Sequence, residues 1–123
     1  MQELKELEEG PIRAKLTRAL SKYDEEHPEV ALLYMDLGDC YEIQGQFLDA
    51  ERYYQRAADI FHQLGLDHEL LLAIAIKSAA EMARIQDRLE DAKKLKARAR
   101  GLVKAYCDRD FGISPDEPGP EAA

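Results

Sequence analysis

The sequence predicts an all-α chain built as a stack of antiparallel helix pairs, and three observations carry that expectation. Apolar residues recur at steps of three and four, which is the spacing of a helix that buries one stripe. The helix candidates are separated by only a few residues, so consecutive helices must run antiparallel. The pattern also repeats: QGQFLDAERYYQRA, residues 44–57, is answered by QDRLEDAKKLKARA, residues 86–99, at an offset of 42. Repetition with a period of roughly 20 to 50 residues marks a stacked helical array.

The opening MQELKELEE is short and acidic and reads as the remnant of a first helix. In PIRAKLTRALSKY, residues 11–23, Ile12, Leu16, Ala19, Leu20 and Tyr23 share one face, and Pro11 opens the helix after Gly10. Pro28 opens the next, because its missing N–H is one that has no helical partner in a first turn. That helix reaches about Gln44, with Val30, Leu33, Tyr34, Leu37, Tyr41 and Ile43 along its apolar stripe. Gly45 ends it by taking up a left-handed conformation.

A third helix begins near Phe47 and carries Phe47, Ala50, Tyr53, Tyr54, Ala57, Ile60 and Phe61 at helical spacing, until LGLDHE breaks it. A fourth is expected from about Glu69 to Ile85. Its register is open by one residue, because EHPEV (residues 26–30) is answered by DHELL (residues 67–71) at an offset of 41 rather than 42. The last helix, from Leu89 to Tyr106, has the stripe Ala92, Leu95, Ala99, Leu102 and Tyr106. Beyond it CDRDFGISPDEPGPEAA is rich in Pro, Gly and acid and has no period, the composition of a flexible tail. The expected organisation is one domain over residues 1–106, with a partial repeat at 1–25 and repeats at 28–63 and 67–106, followed by the tail 107–123.

A net charge of −8 argues against a nucleic-acid surface, which needs clustered Lys and Arg. No apolar run approaches the ~20 residues that cross a bilayer, and the first residues lack the basic and apolar regions of a signal peptide. A cytoplasmic chain that binds neither nucleic acid nor membrane is expected. Cys40 and Cys107 have no CxxC spacing and are read as thiols. His27, His62 and His68, with Asp59 and Asp67 near, could suggest a metal site, but His27 and His68 occupy equivalent turns of successive repeats. No nucleophile is paired with a base, and neither a phosphate-binding loop nor an HExxH spacing occurs. Neither enzymatic activity, nor a metal, nor a cofactor is expected.

Residues 31–62 resemble a tetratricopeptide repeat. Tyr34 stands at the family's first aromatic, Leu37 and Gly38 are adjacent, and Tyr41, Gly45, Phe47, Ala50, Tyr54 and Ala57 follow at the family's intervals. The HPEV opening and the longer period resemble the repeats of kinesin light chains and their bacterial relatives. The second copy keeps Leu89, Ala92 and Ala99 but has Asp87 for the turn Gly, Lys96 for Tyr54, and Ala79, Ala80 and Ala83 for Leu37, Gly38 and Tyr41. The resemblance implies a right-handed superhelical stack of about 2.5 repeats. Small residues beside aromatics let two helix backbones come close, with Gly38 expected to face Ala50 or Ala57 at the nearest point.

The resemblance further implies an interaction module whose first helices line a concave groove. By position that groove would show Leu32, Met35, Asp36, Asp39, Glu42 and Ile43, then Ile74, Lys77, Ser78, Glu81, Arg84 and Ile85. Asp36, Asp39 and Glu42 would repel a free carboxylate, so the expected partner is a basic or amphipathic protein segment. The last helix is strongly basic, with Lys93, Lys94, Lys96, Arg98, Arg100 and Lys104 against Glu90 and Asp91. It is read as a polar cap on the stack. The alternative is a structural subunit that oligomerises through its terminal helices.

Overall fold

The computed structural model describes residues 8–110, which form five α-helices: α1 (Glu9–Lys22), α2 (Pro28–Ile43), α3 (Phe47–Leu64), α4 (Glu69–Ile85) and α5 (Leu89–Asp110). A 3-10 turn, Leu66–His68, leads into α4. No strand occurs among the described residues. Each helix packs against its chain neighbour, and one core cluster draws on all five, from Ile12 and Leu37 through Phe61 and Ile76 to Ala99. A smaller cluster of Ala50, Tyr54, Ala79 and Met82 joins α3 to α4. The architecture is the all-α stack of helix pairs that the periodicity predicts.

The helix joints follow from identifiable residues. Pro28 sits in the first turn of α2, and the His27 ring caps that helix: its Nδ1 accepts from the Glu29 N–H at 3.1 Å. The same ring stacks on Tyr23 with centroids 3.7 Å apart. At the far end, the Gly45 N–H donates to Glu42 O and the Gln46 N–H to Tyr41 O, the paired bonds of a Schellman turn, with Gly45 at φ 77°. Forty-two residues on, the same turn recurs. The Asp87 N–H donates to Arg84 O, the Arg88 N–H to Ala83 O, and Asp87 stands at φ 65° where the first repeat has glycine.

The one-residue ambiguity of register resolves at 42. The buried residues Val30, Ala31, Leu33, Leu37, Gly38 and Cys40 of α2 correspond to Leu72, Ala73, Ala75, Ala79, Ala80 and Met82 of α4, which are also buried. The extra residue is absorbed before the packing face begins, in the 3-10 turn and the first turn of α4. There His68 does not cap its helix but lies against Phe61. The partial first unit obeys the same rule, since Ile12, Leu16 and Ala19 of α1 align with the buried Tyr54, Ala58 and Phe61 of α3.

Four boundaries or contacts differ from the sequence expectation. Helix α1 starts at Glu9, so Gly10 and Pro11 lie inside its first turn, and Leu20 is exposed. The last helix continues through Cys107 to Asp110, four residues past Tyr106, because Arg109 donates to Glu69 at the start of α4, 2.6 Å away, and fastens the end. The remainder of the expected tail, and most of MQELKELEE, fall outside the described residues. The side chain nearest to Gly38 is a large one rather than an alanine. The ring of Tyr54 lies over it, while Ala50 packs in the cluster with Ala79 and Met82.

Two buried carboxylates act as ties between units. Glu51 of α3 accepts from Arg88 and, at 3.0 Å, from Gln86 Nε2 in the turn after α4. Glu69 accepts from Arg109. Each is nearly sequestered from solvent and therefore requires its cationic or amide partner.

A left-handed conformation strains residues with a Cβ, less so Asp than most. Asp87→Gly should therefore raise stability by about 0.5–1 kcal/mol, seen as a higher denaturant midpoint with an unchanged slope. A lowered midpoint would refute this account of the turn.

Candidate functional site

The expected groove residues lie along α2 and α4, and the aliphatic pairs at equivalent positions among them are exposed in both repeats. Leu32 and Ile74, at equivalent positions, are 45% and 53% exposed, and Ile43 and Ile85, near the two helix ends, are 57% and 40% exposed. Met35 is half-buried and packs on the core. Asp36, Ser78 and Glu81 are half-buried, and Asp39, Glu42, Lys77 and Arg84 are exposed. Large apolar side chains left in water at repeated positions cost free energy that burial against a partner would recover.

The polar residues between them are not free-standing. The Tyr54 hydroxyl donates towards Asp39 at 2.5 Å and lies 2.9 Å from Glu42, so one phenol gathers two carboxylates of α2. It reaches them because its ring crosses α2 at Gly38, where any Cβ would stand 2.5 Å from Cε1 and 2.7 Å from Cδ1. Burial first, then the Asp39 and Glu42 carboxylates, push the phenol's pKa upward and keep it protonated as a donor. Asp36 belongs to the same acidic stretch. Its carboxyl is raised above the ordinary range chiefly by desolvation and then by the charge of Asp39, with Lys15 of α1 pulling the other way.

The second repeat meets the same positions with different chemistry. Lys96 replaces Tyr54, and Ala80 replaces Gly38 and is fully buried. With no ring crossing α4, a methyl group fits. Glu81 and Arg84, which correspond to Asp39 and Glu42, form an ion pair on one helix turn. The hydrogen bond from Arg84 lowers the pKa of Glu81, and the charge of Lys96 adds to that effect. The face thus carries three carboxylates over the first repeat and a nearly balanced Lys77, Ser78, Glu81 and Arg84 over the second.

A third polar cluster escaped sequence reasoning. The Arg13 guanidinium of α1 donates to Tyr41 Oη at 2.7 Å and Tyr53 Oη at 3.0 Å, and Glu9 accepts from both Arg13 and Tyr41. Tyr41 and Tyr53 stack at 5.4 Å, and Arg56 lies over Tyr53 and Tyr34. This cluster fastens α1 to the first full repeat. Arg13 at the helical distance from Glu9 was a visible signal, but its tyrosine partners lie 28 and 40 residues away.

The family model of the tetratricopeptide repeat matches residues 14–63 and 29–105. The chain is a member of the tetratricopeptide repeat family. Comparison with curated proteins and with solved structures returns no match. Tetratricopeptide repeats are helical units that mediate protein–protein interaction, and the five helices supply such a scaffold. Among the described residues no group of three or more His, Cys, Asp or Glu could hold a metal ion, and both cysteines are free thiols, Cys40 buried and Cys107 half-buried. No helix among them is long and apolar enough to cross a membrane.

Two outcomes test this geometry. Gly38→Ala gains ~1 kcal/mol of helix propensity but forces a methyl into a ring that is itself buried and anchored at its hydroxyl, an overpacking cost of ~1–3 kcal/mol. The net change should be destabilising in wild type and should vanish or reverse in a Tyr54→Lys background, measured by urea denaturation. An equal effect in both backgrounds would refute the ring contact. Asp36 has a folded-state pKa above its unfolded value, so its charge destabilises the fold fully above the folded pKa, and the penalty disappears below the unfolded value of about 3.9. Asp36→Asn should raise the denaturation midpoint at pH 7 and leave it little changed near pH 3. A loss of stability at pH 7 would overturn the assignment.

Proposed function

We propose that the chain is a docking scaffold whose α2 and α4 faces together receive a segment of a partner protein that combines aliphatic anchors with basic residues. The observation that carries this reading is the repetition of exposed apolar positions, Leu32 with Ile74 and Ile43 with Ile85, on either side of a polar stretch. Asp36, Asp39 and Glu42 favour a basic partner at the first repeat, and the Tyr54 hydroxyl holds two of these carboxylates in place before any partner arrives. Preorganised acceptors lose less side-chain entropy on binding than free ones. The mixed charge of the second repeat favours a partner that is apolar or neutral at that end, an amphipathic segment rather than a uniformly basic one.

Self-association is the second reading. It is favoured by one observation: the acidic α2 face and the basic α5 surface, where Lys93, Lys94, Lys96, Arg98 and Arg100 are exposed, belong to the same chain. End-to-end stacking is opposed by charge, because α1 exposes Lys15, Arg18 and Lys22 at the other end.

Selection of a displayed peptide library on the wild-type chain should enrich basic sequences with aliphatic anchors. The selected peptides should lose about tenfold or more in affinity, ~1.4 kcal/mol, to each of Asp39→Lys and Leu32→Ser, with helicity unchanged. Enrichment of acidic peptides, or equal binding to the variants, would sink the docking reading. Light scattering at two protein and two salt concentrations decides the second, since a salt-insensitive monomer excludes self-association.

A further inference from the structure

The end of the stack carries a groove of about 620 Å³ between α4 and α5. Its floor is Ala73 and Ala99, its walls Leu70, Ile74 and Val103, and its rim Lys77, Lys96 and Arg100. At the repeat offset of 42, Ala73, Ala99 and Val103 correspond to Ala31, Ala57 and Phe61. Those three are buried in one cluster with Leu72, Ala75 and Ile76 of α4, so in the inner repeat this surface is the seat of the next helix. At the end of the stack no helix among the described residues takes the seat. Leu70 stays exposed there, and Val103 is only half-buried where Phe61 is covered.

The seat differs from the inner one in its charge. Lys77, Lys96 and Arg100 stand where the inner repeat has Met35, Tyr54 and Ala58, side chains that pack in the two core clusters. All three cations are exposed, and among the described residues none of them ion-pairs, whereas Lys93, Lys104 and Arg109 of α5 each hold a carboxylate. Glu81 feels the charge of Lys96 but is bound to Arg84. The lining is also polarised along its length. Arg109 binds Glu69, which puts Leu70 and Val103 at one end of the groove. Lys77 is seven residues on along α4 and Lys96 seven back along α5, about 10 Å in each case. A surface serving only to keep the end of the stack soluble would not retain aliphatic walls beside these cations.

We propose that the seat receives a preformed amphipathic helix of a partner protein, its aliphatic stripe against Leu70, Ile74 and Val103 and its carboxylates at Lys77, Lys96 and Arg100. The shape follows from the inner repeat, where a helix fills the equivalent surface, and the charge from three cations that hold no carboxylate. A second copy of the chain is the poorer occupant. Its α1 would bring Lys15, Arg18 and Lys22 to the basic rim, and its α2, which has the acids, is already packed between α1 and α3.

This inference does not rest on the docking reading: it asks for the opposite charge at a different part of the surface, although Ile74 and Lys77 border both. A free helix shorter than about 12–15 residues is marginal in water, so a short displayed peptide arrives unfolded and is not retained at a seat shaped for a helix. The probes are therefore two lactam-bridged helices of about four turns with the same leucine stripe, one flanked by Glu and the other by Lys, titrated into the full chain. The Glu-flanked helix should shift the amides of Leu70, Ala99 and Val103 more than those of Leu32 and Asp39. It should bind about tenfold or more tightly than the Lys-flanked one. Lys96→Glu with Arg100→Glu, both at exposed positions, should reverse that order with the helicity of the chain unchanged. Equal affinity for the two helices, or shifts confined to α2, would overturn the proposal. So would a dimer of the chain alone, seen by light scattering, that dissociates on Lys96→Glu, which would give the seat to a second copy. Decanoate shifting the same amides while the Glu-flanked helix leaves them unmoved would give it to a small amphipathic acid, and the proposal would fall.

Discussion

The ring of Tyr54 on the backbone of α2 at Gly38 is the contact on which the first repeat depends. It sets how closely α2 and α3 approach, because the space a Cβ would need is already filled by an aromatic edge. It also brings a donor to the polar residues of α2 that neighbour Gly38. The hydroxyl lies beside Asp39 and Glu42, so a packing contact inside the pair and the placement of two carboxylates are one device. A residue that reads as pure core is thereby a positioning residue for the surface.

The second repeat shows that the pair of positions varies together. Without the ring, Ala80 replaces Gly38; without the phenol, Glu81 turns to Arg84 and to the charge of Lys96. Stability of the unit is retained through alanines that allow close helix approach, Ala75, Ala79, Ala80 and Ala83, all fully or almost fully buried. The outer face loses its concentrated negative charge in consequence. One fold thus presents two chemically different surfaces from equivalent positions.

Much of this was legible in the sequence because helices and turns are local. Pro28, Gly45 and the 3.6-residue stripes locate α2 and α3, and the repeat of QGQFLDA in QDRLEDA locates α5 and its turn, even though Asp87 replaces the glycine. Among the positions expected to line a groove, Leu32, Ile43, Ile74 and Ile85 are exposed. What could not be read was non-local. The partner of Gly38, the clasp of Arg13 on Tyr41 and Tyr53, and the burial of Glu51 under Arg88 each join residues from different helices. A charge on a helix shows nothing in sequence of whether it is solvated or tied. The comparison of the two repeats carries one trace of it, since Gly38 changes to Ala where Tyr54 changes to Lys.

The recurrence of one Schellman turn, after α2 and again after α4, has a consequence for how such a chain grows. Both turns have three residues between helices, the same two backbone bonds and the same left-handed middle residue. Residues 47–88 therefore begin just past one joint and end at an identical one. A second copy of that segment spliced in frame would meet compatible geometry at both junctions, and the glutamate tie from Glu51 to Arg88 lies wholly within it. Gene duplication can lengthen the array by such cassettes without inventing a new joint.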